Sequence, residues 1–212
     1  VTTLAVASVA GRWWGPTSAW IAGLAVALWP NLVIHSAVLL SETLYLALLA
    51  VALWCATEVD HRARAPLWIG GTGLAFGASV LVRPQGALCV LVLVVIWWAA
   101  GMRPLLMRLA AVGLTAVAVA TPWLIRNHER LGSAVMSTNV GDNLCIGNGP
   151  DATGRFRLGT DCVTDHDYID DSRSEVLHDE EATDTAIAEI RRAPLRQATL
   201  VPIRLWATVV DD

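Results

Sequence analysis

Three short polar groups interrupt an otherwise apolar chain, and their residue types could bind or activate a phosphorylated substrate. Glu42 lies in a Ser-Glu-Thr triplet before an apolar run, Arg83 precedes Pro84, and Arg126 precedes Asn127. A carboxylate can accept the proton of a hydroxyl nucleophile, and a guanidinium matches the geometry of a phosphate. The sequence therefore offers one candidate base and two candidate phosphate ligands.

Each of these groups also has a plain structural interpretation. Ser41 and Glu42 could form the first turn of a helix, where a hydroxyl caps the backbone and an acid is favoured by the helix dipole. Arg83 could reach from the end of a membrane helix to the lipid headgroups, and the same holds for Arg126. An ionisable group at a membrane edge is nevertheless a candidate functional site. The functional interpretation gains weight because all three groups fall on one predicted side of the membrane.

The composition indicates a membrane protein with one polar region. The 212 residues are 55% hydrophobic and 16% charged, whereas charged residues make up about a quarter of soluble domains. Residues 1–125 contain three acids and six arginines, and the rest of the chain contains 16 acids and nine arginines. The two regions are therefore expected to lie in different solvents. The net charge of −4 gives no basic surface, so no nucleic-acid partner is expected.

The apolar runs predict an all-α membrane protein, a polytopic bundle with about six transmembrane helices. A helix that crosses the ~30 Å hydrocarbon core needs about 20 apolar residues. The predicted spans fall within residues 1–10, 17–34, 44–56, 67–82, 85–100 and 109–125. The turn formers and charges that follow predict that the last of these helices ends at Ile125.

Arginine placement predicts the orientation of the bundle in the cytoplasmic membrane. The alternate loops carry most of the arginines of the first 125 residues, and the positive-inside rule places these loops in the cytoplasm. They contain Arg12, Arg62, Arg64, Arg103 and Arg108. We therefore expect a transmembrane bundle over 1–125, an extracytoplasmic loop segment over 126–200, and the start of a further interfacial or membrane helix over 201–212. The chain is expected to be a fragment of a longer multi-pass protein.

The extracytoplasmic segment is rich in turn formers and acids. Residues 139–154 contain Gly, Asn, Asp and Pro throughout, which predicts a non-helical segment that either wraps a polar ligand or forms a structured loop. Cys145 and Cys162 are a candidate disulfide because an exported compartment permits such bonds. An exposed acidic loop is predicted over 161–181 and an amphipathic helix over 180–200. No Cys or His spacing resembles a zinc site.

Five pieces of sequence occur in an order that resembles a known family. They are LSETL at 40–44, GASVLVRPQG at 77–86, TPWLIRN at 121–127, NLCIGNGPDATG at 143–154 and the tail at 190–206. Together they resemble integral-membrane glycosyltransferases of the GT-C type. The resemblance is to family 39, in particular to bacterial relatives of protein mannosyltransferases and of lipid A aminoarabinose transferase.

The resemblance implies a reaction and roles for several residues. Such enzymes transfer a sugar from a polyprenyl-phosphate donor to a lipid, protein or polysaccharide acceptor outside the cytoplasmic membrane. Glu42 matches a second acidic residue at the outer end of a span, while the principal catalytic acid is expected upstream of Val1, so the isolated fragment is expected to be inactive. No cofactor is assigned, and participation of a divalent cation is left open. The candidate substrate-binding residues are Arg83, Arg126, Asn127, Asn143 and Asn148.

Two other classes of protein remain alternatives. A transporter, such as a lipid flippase, would also have outward arginines and interrupted spans, but it more often places ionisable groups near the bilayer midplane. The interiors of the predicted spans contain none. A non-catalytic membrane scaffold would not require an acid and arginines on the same side. The enzyme is therefore the preferred hypothesis.

Overall fold

The computed structural model describes residues 1–38, 40–157, 162 and 172–210, and within them the chain is helical with no strand. This confirms the all-α prediction. Two stretches of 3-10 helix, Pro84–Cys89 and Trp98–Ala100, flank the sixth α-helix. The α-helices are α1 Thr2–Trp14, α2 Pro16–Leu28, α3 Pro30–Ala37, α4 Ser41–Glu58, α5 Ala65–Val82, α6 Val90–Trp97, α7 Met102–Leu131, α8 Val140–Asn148, α9 Ser172–Arg192 and α10 Pro194–Val210.

The chain divides into two compact units, Val1–Trp123 and Leu124–Asp212. In the first unit α1 packs on α2, α4 packs on α5, and α1 also packs on α4. The buried core of this unit lies where α4, α5, α6 and α7 meet, and the indole N–H of Trp97 donates to the Ala56 carbonyl at 3.0 Å. Its members are Ala52, Ala56, Val59, Ala75, Phe76, Leu93, Trp97, Leu105 and Val112.

Helices α5 and α7 approach each other closely because α5 presents two glycines. A Cβ atom on Gly77 would lie 2.7 Å from the Ala116 Cα, and one on Gly73 would lie 2.6 Å from the Thr115 Cβ. Neither position can therefore hold a side chain without moving the helices apart. Small residues at such contacts are typical of membrane helices, which associate through close packing in lipid.

Two helices, α5 and α7, are long and apolar enough to span a membrane, and the bent pair of α2 and α3 would make a third. Their outward faces are apolar; Leu74, Leu114 and Val117 are more than half exposed. These helices indicate membrane association. Among the described residues, the spans are fewer than the six predicted.

The missing spans are short or interrupted helices. The apolar part of α4, residues 44–56 between the acids at its two ends, is only about 20 Å long at ~1.5 Å per residue, against the ~30 Å of the hydrocarbon core. Residues 84–100 form a shorter apolar helix with 3-10 geometry at both ends. The α2–α3 pair bends by 52° at Trp29, just before Pro30.

The prediction that the last helix of the bundle ends at Ile125 was wrong, since α7 continues through Pro122 to Leu131. A proline inside a helix removes one backbone donor, but nearby hydroxyl groups can bind backbone carbonyls and hold the turn together. The Thr121 hydroxyl donates to the Val117 carbonyl at 2.7 Å, one residue before the Ala118 carbonyl, which loses its helical donor at Pro122. The helix runs without a break into the polar sequence that follows.

The second unit corrects two further predictions. Residues 139–154 were predicted to be non-helical, yet α8 covers nine of them because the tertiary contacts of this helix override its turn-forming composition. The predicted acidic loop is helical from Ser172 onward, and its residues 161 and 163–171 lie outside the described part of the chain. Helix α9 ends at Arg192 and α10 begins at Pro194, so a break at this proline divides the helix expected over 180–200.

Candidate functional site

Glu42 and Arg83 form an ion pair at one end of the first unit. Glu42 lies in the first turn of α4, and Arg83 is the residue at which α5 ends. Because α4 and α5 are consecutive helices packed side by side, the start of one meets the end of the other. The Arg83 guanidinium donates to a Glu42 carboxylate oxygen and, at 3.2 Å, to the Ser41 hydroxyl. The sequence placed both residues on one side of the membrane, and the structure brings them into contact.

The Glu42 carboxylate is in its charged form at neutral pH. Its pKa is lowered, first by a backbone hydrogen bond at its own residue, and then by the charge of Arg83 and the hydroxyl of Ser41, which together outweigh desolvation. The side chains of Glu42 and Arg83 are each about one-third exposed. The site therefore presents to solvent a carboxylate that can accept a proton and a guanidinium that can bind an anion.

Tyr45 extends this site by one turn of α4. Its hydroxyl lies 3.7 Å from the Cys89 sulfur, and a Cβ on Gly86 would lie 2.8 Å from its ring, so the glycine makes room for the tyrosine.

The buried Nε of Arg83 has no hydrogen-bond partner among the described residues. The present pairing with Glu42 therefore does not use all five donors of the guanidinium.

A cavity of about 240 Å³ opens beside the same turn of α4. Thr43, the neighbour of Glu42, lines it together with Leu46, and its opposite walls come from α1, α2 and α3. Within the described part of the chain the buried Thr43 hydroxyl has no hydrogen-bond partner. The cavity thus combines apolar walls with a hydroxyl that could bind a polar group.

Arg126 and Asn127 belong to the second unit. Asn127 is 3% exposed; its amide donates to the Val135 carbonyl at 2.8 Å and accepts from Arg126 at 3.0 Å. The amide therefore supports the turn that follows α7.

The two candidate asparagines of α8 also make internal hydrogen bonds. Asn143 donates to the Asn139 carbonyl at 2.6 Å, and Asn148 donates to the Leu144 carbonyl at 3.2 Å. The Asn148 side-chain oxygen accepts from Arg204 at 3.1 Å. These contacts stabilise α8, and substrate binding by either asparagine remains a prediction.

Two arginines of α10, which were not predicted from the sequence, bind the last turn of α8 and the segment that follows it. Arg196 pairs with Glu189 at 3.1 Å and donates to three backbone carbonyls of that segment. Arg204 donates to the Gly147 carbonyl at 2.6 Å. The sequence feature that could have indicated this contact is the pair of arginines on the last predicted helix, together with a turn-rich segment whose backbone carbonyls need hydrogen-bond donors. The carbonyls bound by Arg196 are Gly149 (3.3 Å), Pro150 (2.6 Å) and Ala152 (3.0 Å).

Cys145 and Cys162, the pair that the sequence proposed, are joined in a disulfide. Both side chains are buried, with Ala182 of α9 beside them.

Replacing both cysteines by serine is expected to lower the free energy of unfolding by about 3 kcal/mol, because a cross-link over 17 residues restricts the unfolded chain. Thermal unfolding with and without reductant would measure this, and the reductant should leave the variant's midpoint unchanged. An equal midpoint for the oxidised wild type and the variant would contradict the prediction.

A second ionic group, which was not predicted from the sequence, lies at the other end of α4. Glu58 is 1% exposed and binds Arg12 at 2.5 Å and Arg62 at 2.6 Å. Nearby, Asp60 and Arg108 form a two-bond ion pair. Arg12 lies in α1 and Glu58 lies in α4, 46 residues further along the chain. Their contact therefore joins the two helices.

No group of three or more His, Cys, Asp or Glu side chains that could hold a metal ion occurs among the described residues. No protein-family model, no curated protein and no solved structure matches this chain.

Proposed function

We propose that the chain belongs to a membrane glycosyltransferase of the GT-C type. In this proposal a sugar passes from a polyprenyl-phosphate donor to an acceptor hydroxyl at the outer face of the cytoplasmic membrane. The observation that carries the proposal is the contact of Glu42 with Arg83 at one end of the helical bundle. The two residues supply the two functions that such a transfer needs, a base for the acceptor and a cation for the leaving phosphate.

Each residue has a defined role in the transfer. The acceptor oxygen forms a bond to the anomeric carbon of the sugar as its proton passes to a Glu42 carboxylate oxygen. The bond from the anomeric carbon to the phosphate oxygen breaks, and its electron pair stays on the phosphate. Arg83 stabilises that charge through paired hydrogen bonds. An arriving phosphate competes with Glu42 for the guanidinium, so donor binding would release the carboxylate to the acceptor.

The surroundings of the pair fit a donor with a lipid tail. A polyprenyl chain stays in the hydrocarbon region, so its phosphate must be met at a membrane edge. Arg83 lies at the end of α5, one of the helices long and apolar enough to span. The adjacent cavity with Thr43 in its wall could accommodate part of the acceptor or of the donor.

Replacing Arg83 by Gln is expected to raise the donor KM by about 10- to 100-fold, since a hydrogen bond to a charged group contributes about 1.5–3 kcal/mol. Arg108→Gln is the matched control, because it also removes an arginine from a carboxylate pair but near the other end of α4. Steady-state kinetics with varied donor concentration would measure both. An unchanged donor KM in Arg83→Gln would show that Arg83 does not bind the donor phosphate and has only a structural role at the membrane edge.

A transporter of lipid-linked sugars is the second candidate, and the interrupted helices favour it. Helices α2 and α3 bend by 52°, and residues 84–100 are broken by 3-10 turns; discontinuous helices are typical of transporter sites. The deciding experiment uses the purified full-length protein and a panel of polyprenyl-phosphate sugars. Release of sugar from one donor would support the transferase, whereas binding or translocation without release would support the transporter.

A further inference from the structure

A groove at the other end of α4 and α5 combines an apolar floor with two arginines. It has a volume of about 660 Å³, and its apolar lining comes from Cys55, Leu67, Trp68 and Gly71. Arg62 and Arg64, in the loop that joins the two helices, line its rim. The groove lies beside the first turns of α5, one of the two helices long and apolar enough to span a membrane.

The charges around the groove are not balanced. Arg12, Arg62 and Arg64 carry three positive charges and Glu58 carries one negative charge, while Asp60 and Arg108 neutralise each other, so the cluster has a net charge of +2. The Arg62 side chain is 55% exposed, and only its Nε binds Glu58. The Arg64 side chain is exposed, and its guanidinium has no ion-pair or hydrogen-bond partner among the described residues. Both guanidiniums therefore have donors available to an anion.

Two tryptophan side chains indicate where the rim of the groove lies relative to the lipid headgroups. The Arg62 guanidinium lies 5.4 Å from the centre of the Trp68 ring, and Trp68 packs edge-on against Trp54 at 5.7 Å. Tryptophan is enriched at the headgroup level of membranes, where an apolar ring meets water. The two arginines therefore lie at the level at which lipid phosphates are found, and the apolar floor extends from them along α5.

We propose that this groove binds one anionic phospholipid, with its phosphate on Arg62 and Arg64 and an acyl chain over Leu67, Trp68 and Gly71. The apolar floor favours a lipid over a free anion, and the net charge favours an anionic headgroup over a zwitterionic one. This site is at the opposite end of α4 from Glu42 and does not depend on the proposed transfer reaction.

The substitution Arg64→Asn tests the proposal because its expected effects on lipid binding and on stability have opposite signs. Arg64 has a left-handed backbone conformation, with φ 65° and ψ 47°, and occupies the N-cap of α5 without a side-chain cap. Asn tolerates this conformation and is a good N-cap. The variant should therefore unfold at a higher temperature than the wild type while it retains less anionic lipid.

The measurement is the amount of phosphatidylglycerol that the full chain retains from mixed micelles with phosphatidylcholine, determined by mass spectrometry. Arg64→Asn is expected to lower it about fivefold, since a direct charge pair at an exposed site contributes up to about 1 kcal/mol. Arg103→Asn is the matched control, because Arg103 is an exposed arginine at the start of α7 that does not line the groove. This control should retain as much phosphatidylglycerol as the wild type.

Three results would overturn the proposal. The first is unchanged retention in Arg64→Asn. The second is an equal loss in Arg103→Asn, which would indicate general attraction of the basic loops to anionic lipid. The third is displacement of the bound lipid by an equal concentration of inorganic phosphate, which would indicate a site for the free anion.

Discussion

Replacing Glu42 by Gln in the full-length protein is expected to lower the rate of sugar transfer by about 100-fold or more, because a positioned base contributes about 10²- to 10⁴-fold. Gln keeps the shape of the side chain and can still accept a hydrogen bond from Arg83. It cannot take a proton from the acceptor hydroxyl. The loss should therefore appear in kcat at saturating donor, and the donor KM should change little. Turnover would be measured as sugar released from the polyprenyl-phosphate donor.

Asp60→Asn is the matched control for this variant. It also neutralises a carboxylate that is paired with an arginine, but Asp60 follows the last turn of α4, whereas Glu42 lies in the first. Turnover in Asp60→Asn should equal that of the wild type. If Glu42→Gln turned over at the wild-type rate, Glu42 would not act as the base, and its role would be confined to stabilising the first turn of α4.

The pH dependence of turnover offers a further check on Glu42. A base is active when ionised, so the rate falls as the pH drops through its pKa. Since the pKa of Glu42 is lowered, this loss should occur below the ordinary glutamate value of about 4.3. Arg83→Gln removes one of the causes, so it should move the loss of activity to higher pH.

Replacing Glu58 by Gln is expected to lower the free energy of unfolding by about 3 kcal/mol. The Glu58 side chain is 2% exposed and accepts from Arg12 and Arg62, whose side chains are 28% and 55% exposed, and a hydrogen bond to a charged group contributes about 1.5–3 kcal/mol. The change also breaks the contact that joins α1 to α4. Equilibrium unfolding of the protein in detergent would measure the difference.

Two comparisons identify the cause of that loss. Asp60→Asn breaks an ion pair whose carboxylate is about half exposed, so it should cost at most about 1 kcal/mol. The double variant Glu58→Gln/Arg12→Gln removes the uncompensated charge as well and should recover part of the lost stability. If Glu58→Gln lowered the free energy of unfolding no more than Asp60→Asn does, the prediction would be wrong, because the buried ion pair would stabilise the protein no more than the exposed one.

The pH dependence of stability follows from the same contact. Burial raises the pKa of Glu58, but hydrogen bonds and charges from Arg62 and Arg12 outweigh burial and lower it overall. The stabilisation is therefore present above the pKa of glutamate in the unfolded chain and is lost as the pH falls through the lower pKa of the folded state.

The apolar runs were enough to predict the helical class, since 30 Å of lipid leaves few other structures for such a sequence. They were not enough to count the spans. Pro30 and Pro84 each begin a new helical segment, while Pro122 lies inside a continuous helix. Local sequence does not separate these cases, because the outcome depends on how neighbouring helices and hydroxyl groups satisfy the freed carbonyl.

Two members of the candidate site, Glu42 and Arg83, were predicted from the sequence, but their contact was not. Arginine counts placed Glu42 and Arg83 on one side, but only the packing of α4 on α5 brings them together. Glu58 was missed because four charged residues within positions 58–64 are typical of a solvated loop. Its burial depends on Arg12, which is 46 residues away. Pairings over such distances are set by tertiary structure and leave no periodic signal in the sequence.

The glycine contact between α5 and α7 has a consequence for biogenesis. These two helices are apolar enough to enter the bilayer one at a time, and Gly73 and Gly77 then let them pair within it. The shorter and bent segments cannot enter as readily alone, because their apolar lengths do not cover the membrane. We therefore expect the α5–α7 pair to assemble first and to serve as the template against which the interrupted helices are inserted.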